Sequence, residues 1–186
     1  MIGHNNGPTM EAGFAYRRHV WGKARKELLP RLPIEVIRYR LRRTEEIGLD
    51  YKTYATVRAT TGRDIVAFLF STNALRLFRA DQAMEQARRD KLAGLRGVNR
   101  QGLAVAGLDL RALMEQHGDV LDRIAKAPDF HASWAEAAMA MDAARPAKMP
   151  ADAILMVGDT AMEREWAQAG RLAGYLSADR FFTNPG

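Results

Sequence analysis

The feature that most restricts the fold is Ile65-Val66-Ala67-Phe68-Leu69-Phe70, the longest unbroken apolar run in the chain. A short, partly β-branched run of this kind suits a strand buried on both faces. Two weaker runs follow. Gly102 to Ala106 reads as a second strand and Ala153 to Val157 as a third, with Phe181-Phe182 a candidate for a short last one. Helical patterns fill the gaps. Ala74 to Leu95 reads as helical, broken near Asp81. From Asp109 a helix with Leu110, Leu113, Met114, His117, Leu121 and Ile124 on one face runs toward Pro128. Ser133 to Ala144 is alanine-rich, with Trp134, Ala138 and Met141 on one side. Met162, Trp166, Ala169 and Ala173 form the stripe of a last helix. Strands alternating with helices pair in parallel through crossovers. The expectation is an α/β fold: a small three-layer parallel sheet of three or four strands with helices on both faces, preceded by a basic helical segment.

Upstream of the sheet the pattern is purely helical. Met1 to Gly13 reads as a flexible N-terminal arm, lacking the basic and apolar regions of a secretory signal. A helix is expected over Phe14–Leu29. A second runs over Ile34–Ile47, started by Pro33 and ended by Gly48, with Ile34, Ile37, Leu41 and Thr44 at helical spacing. A third, Tyr51–Thr60, is capped by Asp50 and closed by Gly62. Residues 14–62 therefore read as a basic helical subdomain and 63–186 as the α/β core.

Composition removes several chemistries. The 186 residues contain no cysteine, which excludes disulfide scaffolds, thiolate zinc sites, iron–sulfur clusters and cysteine nucleophiles. No apolar run approaches the roughly 20 residues of a bilayer span, so no membrane partner is expected and the compartment read from the sequence is the cytoplasm. There is no Walker A loop, no strand-linked Gly-x-Gly-x-x-Gly and no His-Glu-x-x-His. The four histidines, His4, His19, His117 and His131, are scattered, and His117 lies on an apolar helix face as a packing residue.

Charge is uneven. The net charge is +6, but residues 1–100 hold 20 Lys and Arg against 10 Asp and Glu. A basic half suits nucleic acid or an acidic protein partner, to be met through residues 14–62. If helices 34–47 and 51–60 act as a helix-turn-helix, Lys52 and Arg58 would reach a groove while Arg42 and Arg43 meet phosphates. The competing reading is a basic helical cap packed on the sheet.

Ligands of parallel sheets bind outside the carboxyl ends of the strands. That rule singles out Ser71-Thr72-Asn73 after the first strand and Gly158-Asp159-Thr160 after the third. The first cluster could contact a ligand or phosphate, or simply form a hydroxyl-capped turn. In the second, Gly158 permits a tight turn. Asp159 and Glu163, one helical turn apart, could hold Mg²⁺ with waters. Alternatively Asp159 or Thr160 caps the helix and Glu163 complements its dipole.

The segment Pro150 to Gly174 resembles the fourth motif of the haloacid dehalogenase (HAD) superfamily: a strand ending in Gly158-Asp159, an acid four positions on at Glu163, then Ala169-Gly170. The resemblance implies that Asp159 and Glu163 help hold a catalytic magnesium, and Lys148 would stand in for the family's charge-neutralising lysine. The family's first motif is a strand ending in Asp-x-Asp, whose first Asp is the phosphoryl acceptor. Here Leu69 and Ser71 would replace the two aspartates. The resemblance therefore implies a degenerate relative without phosphoaspartate chemistry, binding a ligand or protein partner. A weak magnesium-dependent phosphatase or hydrolase is the remaining enzymatic alternative.

Overall fold

The computed structural model of the protein describes residues 32–183. The chain divides into two units, Met1–Ile37 and Arg38–Gly186, and the second carries the sheet. The arm expected over 1–13 and the helix expected over 14–29 lie outside the described residues. Helices α1 (Ile34–Glu46) and α2 (Tyr51–Thr61) come first. Strand β1 (Ala67–Ser71), α3 (Gln86–Gly94), β2 (Asn99–Ala104), α4 (Leu110–His117) and β3 (Arg123–Lys126) follow. The chain ends with α5 (Trp134–Ala144), β4 (Ile154–Gly158), α6 (Ala161–Ala169), β5 (Gly174–Ser177) and α7 (Ala178–Thr183).

Five strands, not three or four, form one all-parallel sheet in the order β3-β2-β1-β4-β5. The two strands that carry apolar runs, β1 and β4, are adjacent, central and buried along their whole length. The two additional strands are the edges. β3 is only Arg-Ile-Ala-Lys, lying in what reads from sequence as the tail of the Asp109 helix; that helix stops at His117. β5 replaces the strand expected at Phe181-Phe182, which form part of α7. The helix expected over Ala74–Leu95 is confined to Gln86–Gly94, because the preceding residues are drawn into turns around the end of β1.

Both faces of the sheet are covered. Phe68, Phe70, Leu155 and Val157 point to one side, against Tyr54, Leu92, Leu113 and Phe181. Phe181 stands edge-on to Phe68 at 5.3 Å and to Phe70 at 5.4 Å, a favoured aromatic arrangement. Ala67, Leu69, Ile154 and Met156 point to the other side, against Ala137, Met141, Trp166 and Ala167. The inward stripe of α5 is thus Ala137, Met141 and Ala144, while Trp134 faces outward.

Residues 38–62 belong to the same unit as the sheet, and Ile47, Leu49, Tyr54 and Val57 sit in one core cluster with Phe68 and Phe70. Asp50 caps α2 through Thr53 N at 2.8 Å, and Gly62 closes it at φ 71°, as the sequence indicates. On α1 only part of the expected stripe faces inward: Thr44 is buried, Leu41 is exposed, and Arg43 is buried beside Thr44. Hydrogen bonds hold Arg43 there. Its guanidinium donates to Asp64 Oδ2 (3.0 Å), Glu46 Oε2 (3.0 Å) and the carbonyls of Ile65 (2.9 Å), Gly97 (3.0 Å) and Arg96 (3.3 Å). All five of its N–H groups are spent at the amino edge of β1. Tyr54 completes the network, donating to Asp64 Oδ1 at 2.8 Å.

Two predictions follow from these buried groups. Arg43→Lys leaves three donors for five acceptors and is expected to lower unfolding free energy in urea by about 1–3 kcal/mol. The second concerns pH. Burial pushes the Tyr54 hydroxyl, helped by its bond to Asp64, up to about 12 from the ordinary 10.0. Burial also holds His117, fully enclosed with neither ring nitrogen well hydrogen-bonded, below the ordinary 6.5. The unfolded chain therefore releases the tyrosine proton first as pH rises and takes up the histidine proton first as pH falls. Stability is expected to decline above pH 10 and below pH 6.5. Thermal melts of Tyr54→Phe and His117→Leu should show the alkaline and acid slopes, respectively, reduced.

Candidate functional site at the sheet switch point

Strand order reverses between β1 and β4, where β2 and β3 build outward on one side and β5 on the other. Such a switch point opens a crevice at the carboxyl ends of the two strands. The register pairs Phe70 with Val157, so Ser71 and Gly158 end the two strands side by side.

After β1 the chain makes one helical turn. Leu75 N–H bonds Ser71 O at 3.0 Å, Arg76 N–H bonds Asn73 O at 3.0 Å and Leu77 N–H bonds Thr72 O at 2.8 Å. This is the left-handed helix-end motif, and Arg76 takes its left-handed position at φ 56°. Position 76 is where glycine is the usual occupant, so a side chain there carries a conformational cost. What Arg76 gains is reach: its guanidinium donates to Asp159 Oδ2 at 2.9 Å and lies 3.9 Å from Asp179. Ser71 and Thr72 are buried and committed to the turn. Ser71 Oγ accepts from Ala74 N at 3.0 Å, and Thr72 Oγ1 accepts from Val105 N at 3.2 Å.

After β4 the chain enters α6 through a capping box. Thr160, not Asp159, is the cap: its Oγ1 accepts from Glu163 N at 3.2 Å. Glu163 reaches back so far that it is fully buried. Its Oε2 accepts from Asp159 N (2.6 Å) and Thr160 N (3.0 Å), and its Oε1 accepts from Asn73 Nδ2 at 2.9 Å. The last bond joins the two loops singled out from sequence. Gly158 is required by this carboxylate rather than by turn geometry. Its φ is not positive, but a Cβ there would lie 2.8 Å from Glu163 Oε2 and 2.6 Å from the Tyr175 ring.

Five of the expected site residues therefore converge: Ser71, Thr72 and Asn73 from one loop, Asp159 from the other, and Glu163 beneath. Lys148 does not join them. It is exposed and precedes the start of β4, at the opposite end of the strand from Asp159. Leu69 lies mid-strand within the core and pairs with Met156, while Ser71 ends the strand. Neither carboxylate is presented to a cation. Glu163 is enclosed by three N–H donors and Asp159 is paired with Arg76. Among the described residues no group of three or more His, Asp or Glu is placed to hold a metal ion. With Glu163 enclosed, the pair expected to hold magnesium is not presented together. Arg76 was not foreseen in the sequence; an arginine in a turn carries no local signal.

Of the four expected nucleic-acid contacts on the helices, Arg42 and Lys52 are exposed and Arg58 is half-buried. Arg43 is internal, consumed by the network at the foot of β1. Among the described residues no helix is long and apolar enough to cross a membrane.

Fold and site together define an α/β protein of the doubly wound, Rossmann-like parallel-sheet class. Comparison with protein-family models, with curated proteins and with solved structures finds no match to this chain.

Gly158→Ala forces the Glu163 carboxylate and the Tyr175 ring aside and is expected to cost about 1–3 kcal/mol, read by denaturant unfolding. Glu163→Gln offers an NH₂ where an acceptor is needed and should cost a similar amount. In the double variant the losses should fall short of their sum, because both disrupt one contact.

Proposed function

We propose that the chain is a HAD-like α/β protein that does not transfer phosphoryl groups and whose core works by binding a ligand or a protein partner. The observation that carries this reading is the Asn73–Glu163 bond. Where the HAD pattern places carboxylates facing one another across a magnesium ion, this chain places a carboxamide against a carboxylate. The N–H of Asn73 supplies locally what a cation would supply between two acids. Arg76 does the same for Asp159. Leu69, at the phosphoryl-acceptor position, is apolar, and Ser71, at the second aspartate, is buried and accepts a backbone N–H.

The test is hydrolysis of a panel of phosphate esters with and without Mg²⁺, run beside a melting curve. No turnover and no magnesium-dependent rise in melting temperature are expected, since a cation bound only by the native state would raise it. Turnover abolished in Asp159→Ala would overturn the reading, as would a melting shift lost in Asp159→Asn.

A further inference from the structure

Beside Asn73, at the carboxyl ends of the strands, lies a cavity of about 240 Å³. Its walls are Val105, Ala106, Pro128, Phe130, Met162 and Trp166, with Asn73 and Thr160 the polar members. No side chain in this lining is ionisable. Ligand crevices at switch points commonly take phosphates on the N-terminus of the following helix. Here a carboxyl group already holds that place: the N–H groups of Asp159 and Thr160 donate to Glu163, and an incoming anion would meet its oxygens. Arg76, on the loop after β1, is paired with Asp159. An anion would enter an apolar slot with no counter-charge, at a large desolvation cost.

The lining suits a different guest. No ring contact joins Phe130 to Trp166 among the described residues; Phe130 instead meets His131 edge-on at 4.9 Å. The two aromatic side chains therefore wall the cavity rather than fill it, and Met162 adds a polarizable sulfur that favours aromatic contact. Phe130 is 70 % exposed at the rim, an apolar surface that a bound molecule would cover. The volume suits one or two fused rings, since an apolar cavity of roughly 150 Å³ already admits benzene. Asn73 sets the polarity. Its Nδ2 donates to Glu163 Oε1, which leaves the carboxamide oxygen for a ligand donor.

We infer that this cavity binds a small uncharged aromatic molecule carrying an N–H or O–H donor, and not a phosphate ester. The inference rests on the binding reading of the same crevice given above. Saturation-transfer NMR on the full chain, with indole as probe and inorganic phosphate as the anionic control, tests it. Saturable indole binding in the millimolar range or tighter is expected, with at least a tenfold loss in Ala106→Phe, where an exposed wall residue is enlarged into the cavity. Phosphate should give no saturable binding. Three outcomes each overturn the inference: no saturable indole signal, indole binding unchanged in a folded Ala106→Phe, or phosphate binding that Ala106→Phe removes. Each of these leaves the absence of phosphoryl transfer untouched, whereas Asp159-dependent turnover would overturn that reading alone.

Discussion

A carboxyl group with no exposure to water must have its oxygens met by donors. Glu163 is that group, and the carboxyl edge of the sheet is arranged around it. Two of its three donors come from its own helix start and one from the loop after β1, so two segments ninety residues apart are held at a fixed separation. Gly158 is small because the carboxylate needs the space. Thr160 is the cap because Glu163 answers it. Tyr175 lies against the same spot, its hydroxyl donating to Thr160 O at 3.2 Å, and burial together with the neighbouring negative charge raises its pKa. The crevice that remains is shaped by a charge it does not display.

The amino edge of the sheet uses the opposite ion for the same purpose. Arg43 reaches the residues just ahead of β1 and the loop before β2, and every N–H it owns is used. A saturated cation at one end and a saturated anion at the other hold the central strands in place. Neither is available to a ligand. That is why the two most conspicuous charged candidates, Arg43 for phosphates and Glu163 for a metal, turn inward, while what opens to solvent beside Asn73 is apolar.

The sequence reveals the centre of this fold far better than its rim. β1 and β4 carry unbroken apolar runs because both their faces are buried, and both were legible. β3 and β5 are edge strands of four residues with exposed positions, so Arg-Ile-Ala-Lys and Gly-Tyr-Leu-Ser lack the pattern that marks a strand. β3 also follows a helix whose apolar spacing continues through Leu121 and Ile124, hiding the break at Gly118. The α1 stripe misled for a different reason. Leu41 and Thr44 share helical spacing, yet only Thr44 is buried, while Arg43 is drawn inward by its five hydrogen bonds. At the site, the two loops follow from the rule for parallel sheets. Their bond does not, because the partners are distant in sequence and Asn73 marks only a turn. Cap and metal ligand look alike in a Gly-Asp-Thr-x-x-Glu string; the depth to which Glu163 is buried separates them.

The short strand β3 has one more consequence, for the behaviour of many copies together. Among the described residues its outer edge has no strand partner, the usual starting point for sheet-to-sheet aggregation. If two copies paired these edges antiparallel and centred, Arg123 of each would lie opposite Lys126 of the other, two like-charge contacts in a four-residue ladder. The exposed Asp129 beside Lys126 offsets little of that repulsion in water. The residues that made the strand hard to read thus act as gatekeepers, keeping a parallel sheet with a bare margin from growing into a fibril.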